Sequence, residues 1–457
     1  MFRRRKRHKT SGDMTSGGII RRIVFFSIPL LLGNLLQQVY VAVDSVIAGN
    51  FVSKDALAAI GASGPLVNVI VAFAMGLFAG AGVVVARLYG ARERKNLRKA
   101  VHNTLLLSAV LGAVLTVVGM SAAEMLLRLM KTPSEIMPDA VQFLRVYLGG
   151  LAALCVYNAG ASVLNALGNS RLPLFFLAIS FFINVAGDLL FVLAFHWGVG
   201  GLAASTVIAE AVTGVMVVWA LHRDKENGLL VFKEIRFDFG ILKQIVSLGL
   251  PGAIQGTIVG FSNTLVQSFF NGLGPVSVAA YSASQRIDAF AIIPVQTMAL
   301  AVATFVSQNL GAGQVKRARL GVRYAMIIGI AVTVFVSACN MVFGKGLLRV
   351  FTPDAAVVSD GVIFLYVFSP FRFVLSGTQI LPGALQGAGK PKFANYVTIL
   401  CFVALRQIYL QIISRVDFNI ITVSLSYPIP QAIAAGIILV YYLRSDWSRF
   451  ERPAVDT

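Results

Sequence analysis

The sequence predicts an all-α integral membrane protein with twelve transmembrane helices, arranged as two pseudo-symmetric six-helix lobes. Three observations predict it: an apolar composition, apolar runs of membrane-spanning length, and motifs that recur half a chain apart. Apolar residues (AVILMFWYC) make up 57% of the 457 positions and charged residues 13%, whereas soluble domains carry about 25% charged residues. So few charges cannot coat soluble domains of this total length. Lipid is therefore the expected solvent.

The formal net charge of +19 raises the possibility of a nucleic-acid partner. The basic residues, however, lie in short clusters between apolar runs rather than on one polar face, so we expect no nucleic acid. Cys155, Cys339 and Cys401 are an odd number of cysteines, far apart in the chain. This spacing predicts neither a disulfide framework nor a metal site.

Twelve apolar runs are long enough to cross about 30 Å of hydrocarbon. They are residues 23–49, 57–86, 99–121, 138–164, 172–195, 199–221, 244–270, 278–306, 320–343, 358–386, 393–414 and 420–443. The first follows a basic segment, as in a signal peptide, but it is too long for the apolar region of one. We therefore interpret it as a retained helix. Each run should be α-helical because lipid offers the backbone amides no other hydrogen-bond partners.

The distribution of Lys and Arg predicts the orientation. If the N-terminus is cytoplasmic, the loops and termini on the inner side carry 28 of these residues and those on the outer side carry 6. Cytoplasmic loops are the ones enriched in Lys and Arg. Both termini are therefore predicted to be cytoplasmic. The predicted regions are a basic N-terminal segment 1–22, an N-lobe 23–221, a cytoplasmic linker 222–243, a C-lobe 244–443 and a cytoplasmic tail 444–457.

Short motifs recur with an offset of 221 residues, which indicates an internal duplication. Ala58-Ala59 then matches Ala279-Ala280, and Gly90-Ala91 matches Gly311-Ala312. Pro29 and Pro251 lie early in the first span of each half. Because six spans are an even number, both copies enter the membrane in the same orientation, so their symmetry axis should run along the membrane normal. This geometry is typical of an alternating-access transporter with a cavity between its lobes.

Ionisable groups at membrane depth are costly and are candidate functional residues. Asp44 lies deep in the first span, and Asp188 lies in the fifth span with Asn184 one turn before it. In this region the offset between the halves is 218 residues, so the positions of Asn184 and Asp188 correspond to Phe402 and Arg406 in the second half. The acids therefore belong to the first lobe alone. Two carboxylates with amide and hydroxyl oxygens suit Na⁺ or protons; the structural alternative is that each Asp bonds helix backbone or a buried Arg.

Other charged residues within the spans allow both structural and functional interpretations. Glu210 lies one turn beyond Thr206 and could join the polar site or pair elsewhere. Arg286 and Asp288 should lie near the outer interface, where they snorkel or pair locally, and Arg406 must find an anion or carbonyl groups. Arg87, Arg145 and Arg372 are expected near interfaces or between helices.

The segment from Pro29 to Leu35 (PLLLGNL), its continuation Val43-Asp44-Ser45, and the following DALAA at Asp55–Ala59 resemble the opening of multidrug and toxic compound extrusion (MATE) transporters. The resemblance covers about residues 20–445, including two halves joined by a basic loop. It implies a V-shaped pair of lobes that exports organic, often cationic or amphipathic compounds in exchange for Na⁺ or H⁺. It also implies the cytoplasmic membrane of a bacterium.

The resemblance implies a coupling site as well. The family's acidic residue on helix 1, its Asn-x-x-x-Asp on helix 5 and its threonine on helix 6 match Asp44, Asn184 with Asp188, and Thr206. Additional polar positions of the N-lobe match Gln37, Tyr40 and Asn158, to which we add Glu210. Some members carry acids on helices 7 and 10, but the corresponding regions here, around 259–260 and 375–378, have none. The coupling site is therefore expected in the N-lobe.

Competing function classes are an enzyme, a channel and a flippase for lipid-linked substrates on a related frame. Phosphate-binding loops and the common catalytic motifs are absent, so uphill transport must draw on an ion gradient. We expect no cofactor and no metal apart from a coupling Na⁺ or H⁺ at Asp44, Asn184, Asp188 and Thr206. The expected partners are small organic substrates and the lipid bilayer, and the chain is expected to act as a monomer.

Overall fold

The computed structural model describes residues 12–224 and 228–448, and within these ranges every regular element is helical. The first half of the chain forms seven α-helices: α1 (Ile19–Ile47), α2 (Lys54–Ala91), α3 (Arg94–Leu129), α4 (Met137–Gly149), α5 (Leu151–Ala166), α6 (Arg171–Leu189) and α7 (Gly198–Arg223). The second half forms nine: α8 (Phe239–Gly272), α9 (Pro275–Gly311), α10 (Val315–Phe351), α11 (Ala355–Phe368), α12 (Phe373–Gly387), α13 (Pro391–Ile399), α14 (Arg406–Val416), α15 (Ile420–Ser424) and α16 (Pro428–Arg444).

The predicted number of twelve spans is confirmed, with two spans broken. Ten helices of the described chain are long and apolar enough to cross a membrane. Two further spans are bent pairs, with angles of 48° between α4 and α5 and 56° between 355–371 and α12. The first break falls at Gly149-Gly150 and the second follows Pro370. Both are residues at which helices commonly kink.

The two halves share their irregularities as well as their helix order. Each contains a bent pair as its fourth span. In each half the next span carries a π-helical turn, Leu190–Ala194 after α6 and Leu400–Leu405 after α13. A further π-helical turn, Ala48–Val52, follows α1. Equivalent breaks at equivalent positions are what a duplicated six-helix unit predicts.

The halves pack against each other through the C-terminal part of α2 and the N-terminal part of α8. A Cβ added to Gly80 would lie 2.3 Å from the Gly249 nitrogen, and one added to Gly249 would lie 2.3 Å from the Leu77 oxygen. Glycine is required here because the two backbones touch. Gly64 of α2 and Gly260 of α8, towards the opposite end, have no neighbouring atom within 4 Å of such a Cβ. The halves are therefore closed at one end and diverge at the other, which gives a V.

Candidate functional site

Two aspartates from different helices meet inside the first half. Asp44 on α1 and Asp188 on α6 interact directly through their carboxyl groups. Asp188 is fully buried and Asp44 is half-buried. The close packing of α1 against α6 creates this contact, which the separation of the two residues in sequence does not reveal.

Side chains of α7 complete a hydrogen-bonded cluster around Asp188. Ser205 donates its hydroxyl to Asp188 Oδ1. Asn184 Nδ2 donates to Ser205 Oγ at 3.3 Å and to Thr206 Oγ1 at 3.2 Å. Asn184 and Asp188 lie one turn apart on α6, so both face α7. The structure thus brings together Asp44, Asn184, Asp188 and Thr206, the four residues predicted to form the coupling site.

Three oxygen atoms of this cluster are buried without a hydrogen-bond donor among the described residues. They are Asp44 Oδ1, Asn184 Oδ1 and Asp188 Oδ2. Within the described chain neither aspartate forms an ion pair with a Lys or Arg, so the structural alternative of a buried Asp–Arg pair does not apply here. Unsatisfied buried oxygens are costly. Carboxylate and carbonyl oxygens are also the ligands that hard cations prefer, so the donor set fits Na⁺ or a shared proton.

Tyr40 and Glu210 lie around the cluster. The Tyr40 side chain interacts with Thr206 and is within electrostatic range of Asp44, Asp188 and Glu210. Glu210 in turn lies within electrostatic range of the side chains of Tyr147 and Tyr157. No cation of the described chain forms an ion pair with Glu210, so this acid joins the polar region of the first half rather than pairing elsewhere.

Gln37 and Asn158 are placed beside the cluster rather than in it. Both line a separate cavity of ≈ 190 Å³ between α1, α2, α5, α6 and α9. Asn158 Nδ2 donates to the Leu154 carbonyl of its own helix at 2.9 Å, and Gln37 is exposed. Thr304 and Gln386 of the second half also line this cavity, so it lies where the two halves meet.

π-helical turns follow both aspartates. The turn Ala48–Val52 begins one helical turn after Asp44, and Leu190–Ala194 begins two residues after Asp188. Such turns are frequent at functional sites because they interrupt the regular hydrogen-bond ladder. They give α1 and α6 a local irregularity next to the paired carboxyl groups.

In the second half, the expectation for Arg286 and Asp288 near the outer interface is only partly met. Asp288 lies well inside α9, is 2% exposed, and forms an ion pair with Arg372, also 2% exposed, at the break before α12. It pairs across helices rather than locally because the bend at residues 369–372 brings Arg372 to α9. Arg406 donates to the Ser262 hydroxyl at 2.7 Å and to the side-chain carbonyl oxygen of Asn263 at 2.9 Å, so the expected carbonyl partner comes from a side chain.

Sequence reasoning missed Ser205, the residue that contacts Asp188 directly. Its only signal was its position next to Thr206 in an apolar helix. Adjacent residues of a helix point about 100° apart, so both could not be assigned to one site from spacing. Here Asn184 bridges them by donating to both hydroxyls.

Two related helical bundles, one of which contains acids with no basic partner among the described residues, define a polytopic membrane transporter. The MatE family model matches residues 29–190 and again residues 251–410, so the same model recognises each half, beginning at Pro29 and at Pro251. The chain belongs to the MatE family. Its members are transporters and not enzymes.

Known proteins resemble the chain over most of its length. The probable multidrug resistance protein YpnP of Bacillus subtilis is 28% identical over 82% of this chain and 85% of its own. The probable multidrug resistance protein YoeA of the same organism is 26% identical over 94% of each. A solved structure, described as the outward-facing conformation of a multidrug resistance MATE family transporter, has a TM-score of 0.88 and 23% identity, covering 95% of this chain and 97% of that one. This likeness confirms the predicted fold.

Proposed function

We propose that the protein exports small organic, often cationic or amphipathic compounds in exchange for Na⁺ or H⁺ by alternating access. The observation that carries the proposal is the contact between Asp44 and Asp188, with buried oxygens on both carboxyl groups that lack donors among the described residues. Multidrug resistance is in the names of both Bacillus subtilis relatives, which supports an organic substrate class. A lipid-linked flippase gains no support from these relatives.

The coupling step follows from electrostatics. Two carboxylates close together in a low-dielectric region repel each other, and a bound cation or proton removes this repulsion. Asp44 belongs to α1 and Asp188 to α6, so loading an ion draws two helices together and unloading it lets them part. The site therefore consists of Asp44, Asn184, Asp188 and Thr206, with Ser205 as a further member and Tyr40 and Glu210 around it. Gln37 and Asn158 serve the adjoining cavity.

The orientation comes from the basic residues. With the basic N-terminal segment 1–22 and linker 222–243 in the cytoplasm, the tightly packed end of the V faces inward. The N-lobe 23–221 and the C-lobe 244–443 then diverge towards the outside, an outward-facing state in the cytoplasmic membrane of a bacterium. The tail 444–457 is cytoplasmic, and one chain, as a monomer, contains both lobes.

Transport by purified protein in proteoliposomes tests the proposal. Efflux of a fluorescent organic cation is measured under an imposed Na⁺ gradient and, separately, under an imposed pH gradient. We expect one gradient to drive efflux and Asp44→Asn to reduce this efflux at least tenfold. Glu135→Gln, which removes an exposed acid before α4, is the matched control and should retain it. Gradient-driven efflux by Asp44→Asn at the rate of the unmodified protein would refute the mechanism.

A further inference from the structure

A cavity at the start of α1 has the composition of a phosphate site. It has a volume of ≈ 470 Å³ and lies between residues 12–18, the beginning of α1 and the segment 168–171 before α6. Arg21, Arg22 and Arg171 line it, and among the described residues its lining contains no acidic side chain. Asp13 is the nearest acid in sequence; it accepts hydrogen bonds from Thr15 and does not line the cavity. The cavity therefore concentrates positive charge.

Hydrogen bonds within the protein hold the walls of the cavity in place. Arg22 Nε donates to the Ser16 carbonyl at 3.2 Å, which holds the guanidinium against the segment that precedes α1. The Ser170 hydroxyl donates to the Phe26 carbonyl at 2.9 Å, so it does not cap the helix that it precedes. Neither α1 nor α6 has an acid in its first turn. The backbone amides at two helix starts therefore add to the positive potential of the arginines.

The apolar part of the cavity wall favours a lipid as the source of the phosphate. Phe25 and Phe26 line the cavity one turn further along α1 than Arg21 and Arg22. Phe25 is 57% exposed, and so is Phe175, one turn along α6 from Arg171. Arginines at the start of a membrane span extend their charged ends to the headgroup level, and the exposed phenyl rings one turn further along are apolar surface for acyl chains. Guanidinium groups recognise phosphate oxygens through paired hydrogen bonds.

The cavity also joins the two halves of the protein. One wall is formed by residues 12–18: Met14 N–H donates to Gln308 Oε1 at 3.0 Å, and Arg317 donates to the Gly17 carbonyl at 2.8 Å. The adjoining wall, at Gly168–Arg171, belongs to the first half and touches Gly12. A ligand that contacts both walls stabilises the arrangement in which this end of the V is closed, because it binds that arrangement better than one in which the walls separate.

We propose that this cavity binds the phosphate group of an anionic phospholipid from the cytoplasmic leaflet and thereby favours the state with the cytoplasmic end closed. The chemistry recognised is a phosphate ester whose negative charge no cationic headgroup balances, and a soluble phosphate is the other source. The assignment of the leaflet rests on the orientation in the proposed function. Binding itself does not require transport, so the two proposals fail separately.

Thermal unfolding of the purified protein in detergent tests the site. Phosphatidylglycerol, phosphatidylcholine and inorganic phosphate are added in parallel. We expect phosphatidylglycerol to raise the unfolding temperature by several degrees more than phosphatidylcholine does. Arg21→Gln with Arg171→Gln should abolish this difference, whereas lysine at both positions should restore part of it. Arg94→Gln with Lys95→Gln, which removes two exposed cations at the start of α3, should leave it unchanged.

Three results would overturn the proposal. The first is a phosphatidylglycerol effect of full size in the Arg21→Gln, Arg171→Gln variant. The second is an equal loss in the Arg94→Gln, Lys95→Gln control, which would indicate nonspecific charge. The third is an inorganic phosphate effect as large as that of the lipid, which would assign the site to soluble phosphate. If the first variant is unstable, native mass spectrometry of its folded fraction decides the question, since retained phosphatidylglycerol at the unmodified level contradicts the proposal.

Discussion

The carboxyl groups of Asp44 and Asp188 interact directly, although one belongs to α1 and the other to α6. Within the described chain neither has a basic partner, and each has one oxygen buried without a donor. Two acids in contact can share one proton or one cation. The pair therefore acts as a single unit, and the first two predictions follow from this relationship.

Replacing both aspartates should reduce gradient-driven efflux little more than replacing one of them. Asp44→Asn and Asp188→Asn should each reduce gradient-driven efflux at least tenfold, and the double variant should show nearly the same residual rate. Residues that act as one unit are strongly non-additive in this way. Efflux rates in proteoliposomes for the four proteins check it. Fully additive losses would show that the two carboxyl groups act independently.

Removing the Ser205 hydroxyl should change the affinity of the site for its coupling ion without abolishing transport. The hydroxyl donates to Asp188 Oδ1, and a hydrogen bond to a charged group is worth about 1.5–3 kcal/mol. Ser205→Ala should therefore shift the ion concentration that gives half-maximal efflux by about 10- to 100-fold. The shift is to lower concentration if the ion is H⁺, because the hydroxyl stabilises the charged carboxylate that the proton must neutralise, and to higher concentration if it is Na⁺, because the carboxylate loses the bond that orients it. Thr213→Val on the same helix is the control, since the Thr213 hydroxyl bonds only carbonyls of α7. Equal shifts in both variants would contradict a specific role for Ser205.

The buried pair between Asp288 and Arg372 should matter for stability. Breaking a buried ion pair leaves an uncompensated charge and costs about 3–5 kcal/mol. Asp288→Asn should therefore lower the unfolding temperature sharply, and the double replacement Asp288→Leu with Arg372→Met should recover much of the loss. Glu124→Gln, which removes an exposed pair with Arg128, should have a much smaller effect. Thermal unfolding in detergent measures all of these, and a double variant less stable than Asp288→Asn would refute the prediction.

The contact between α2 and α8 should be sensitive to a single methyl group. A Cβ at Gly80 would lie 2.3 Å from the Gly249 nitrogen, so Gly80→Ala must push the two backbones apart. Gly64→Ala on the same helix adds a methyl group where no atom lies within 4 Å. Spin labels placed on the two halves at this end should report longer distances for Gly80→Ala and unchanged distances for Gly64→Ala. Identical distances in both variants would show that the glycine contact does not hold the halves together.

The ion pair between Lys99, near the start of α3, and Asp238, which precedes α8 and lies outside the spans, predicts a pH dependence. The Lys99 ammonium, 2.8 Å from Asp238 Oδ2, lowers the pKa of that carboxyl below its ordinary value, and the Ile241 amide adds to the effect. The contribution of this ion pair to the stability of the folded state is therefore complete above the pKa of an aspartate in the unfolded chain, about 3.9. It is lost as the pH falls through the lower pKa that Asp238 has in the folded state. Asp238→Asn keeps an N-cap residue for α8 but should remove this part of the acid sensitivity. Unfolding temperatures between pH 6 and pH 3 check it, and unchanged acid sensitivity in Asp238→Asn would contradict it.

The sequence by itself determined the membrane class, the twelve spans and the duplication, because lipid imposes long apolar helices and a repeat preserves its glycines and prolines. It also indicated the candidate residues Asp44, Asn184 and Asp188, since ionisable and polar groups are rare in such helices, and the family resemblance added Thr206.

Only the tertiary structure decided which of these residues touch. In the structure Ser205 contacts Asp188, and Gln37 and Asn158 line a neighbouring cavity. Asp288 pairs with Arg372 across a helix break. Contacts between helices depend on rotation about each axis and on kinks, and local apolar patterns constrain neither. The glycine contact between α2 and α8 has the same origin, because the closeness of two backbones depends on both halves at once.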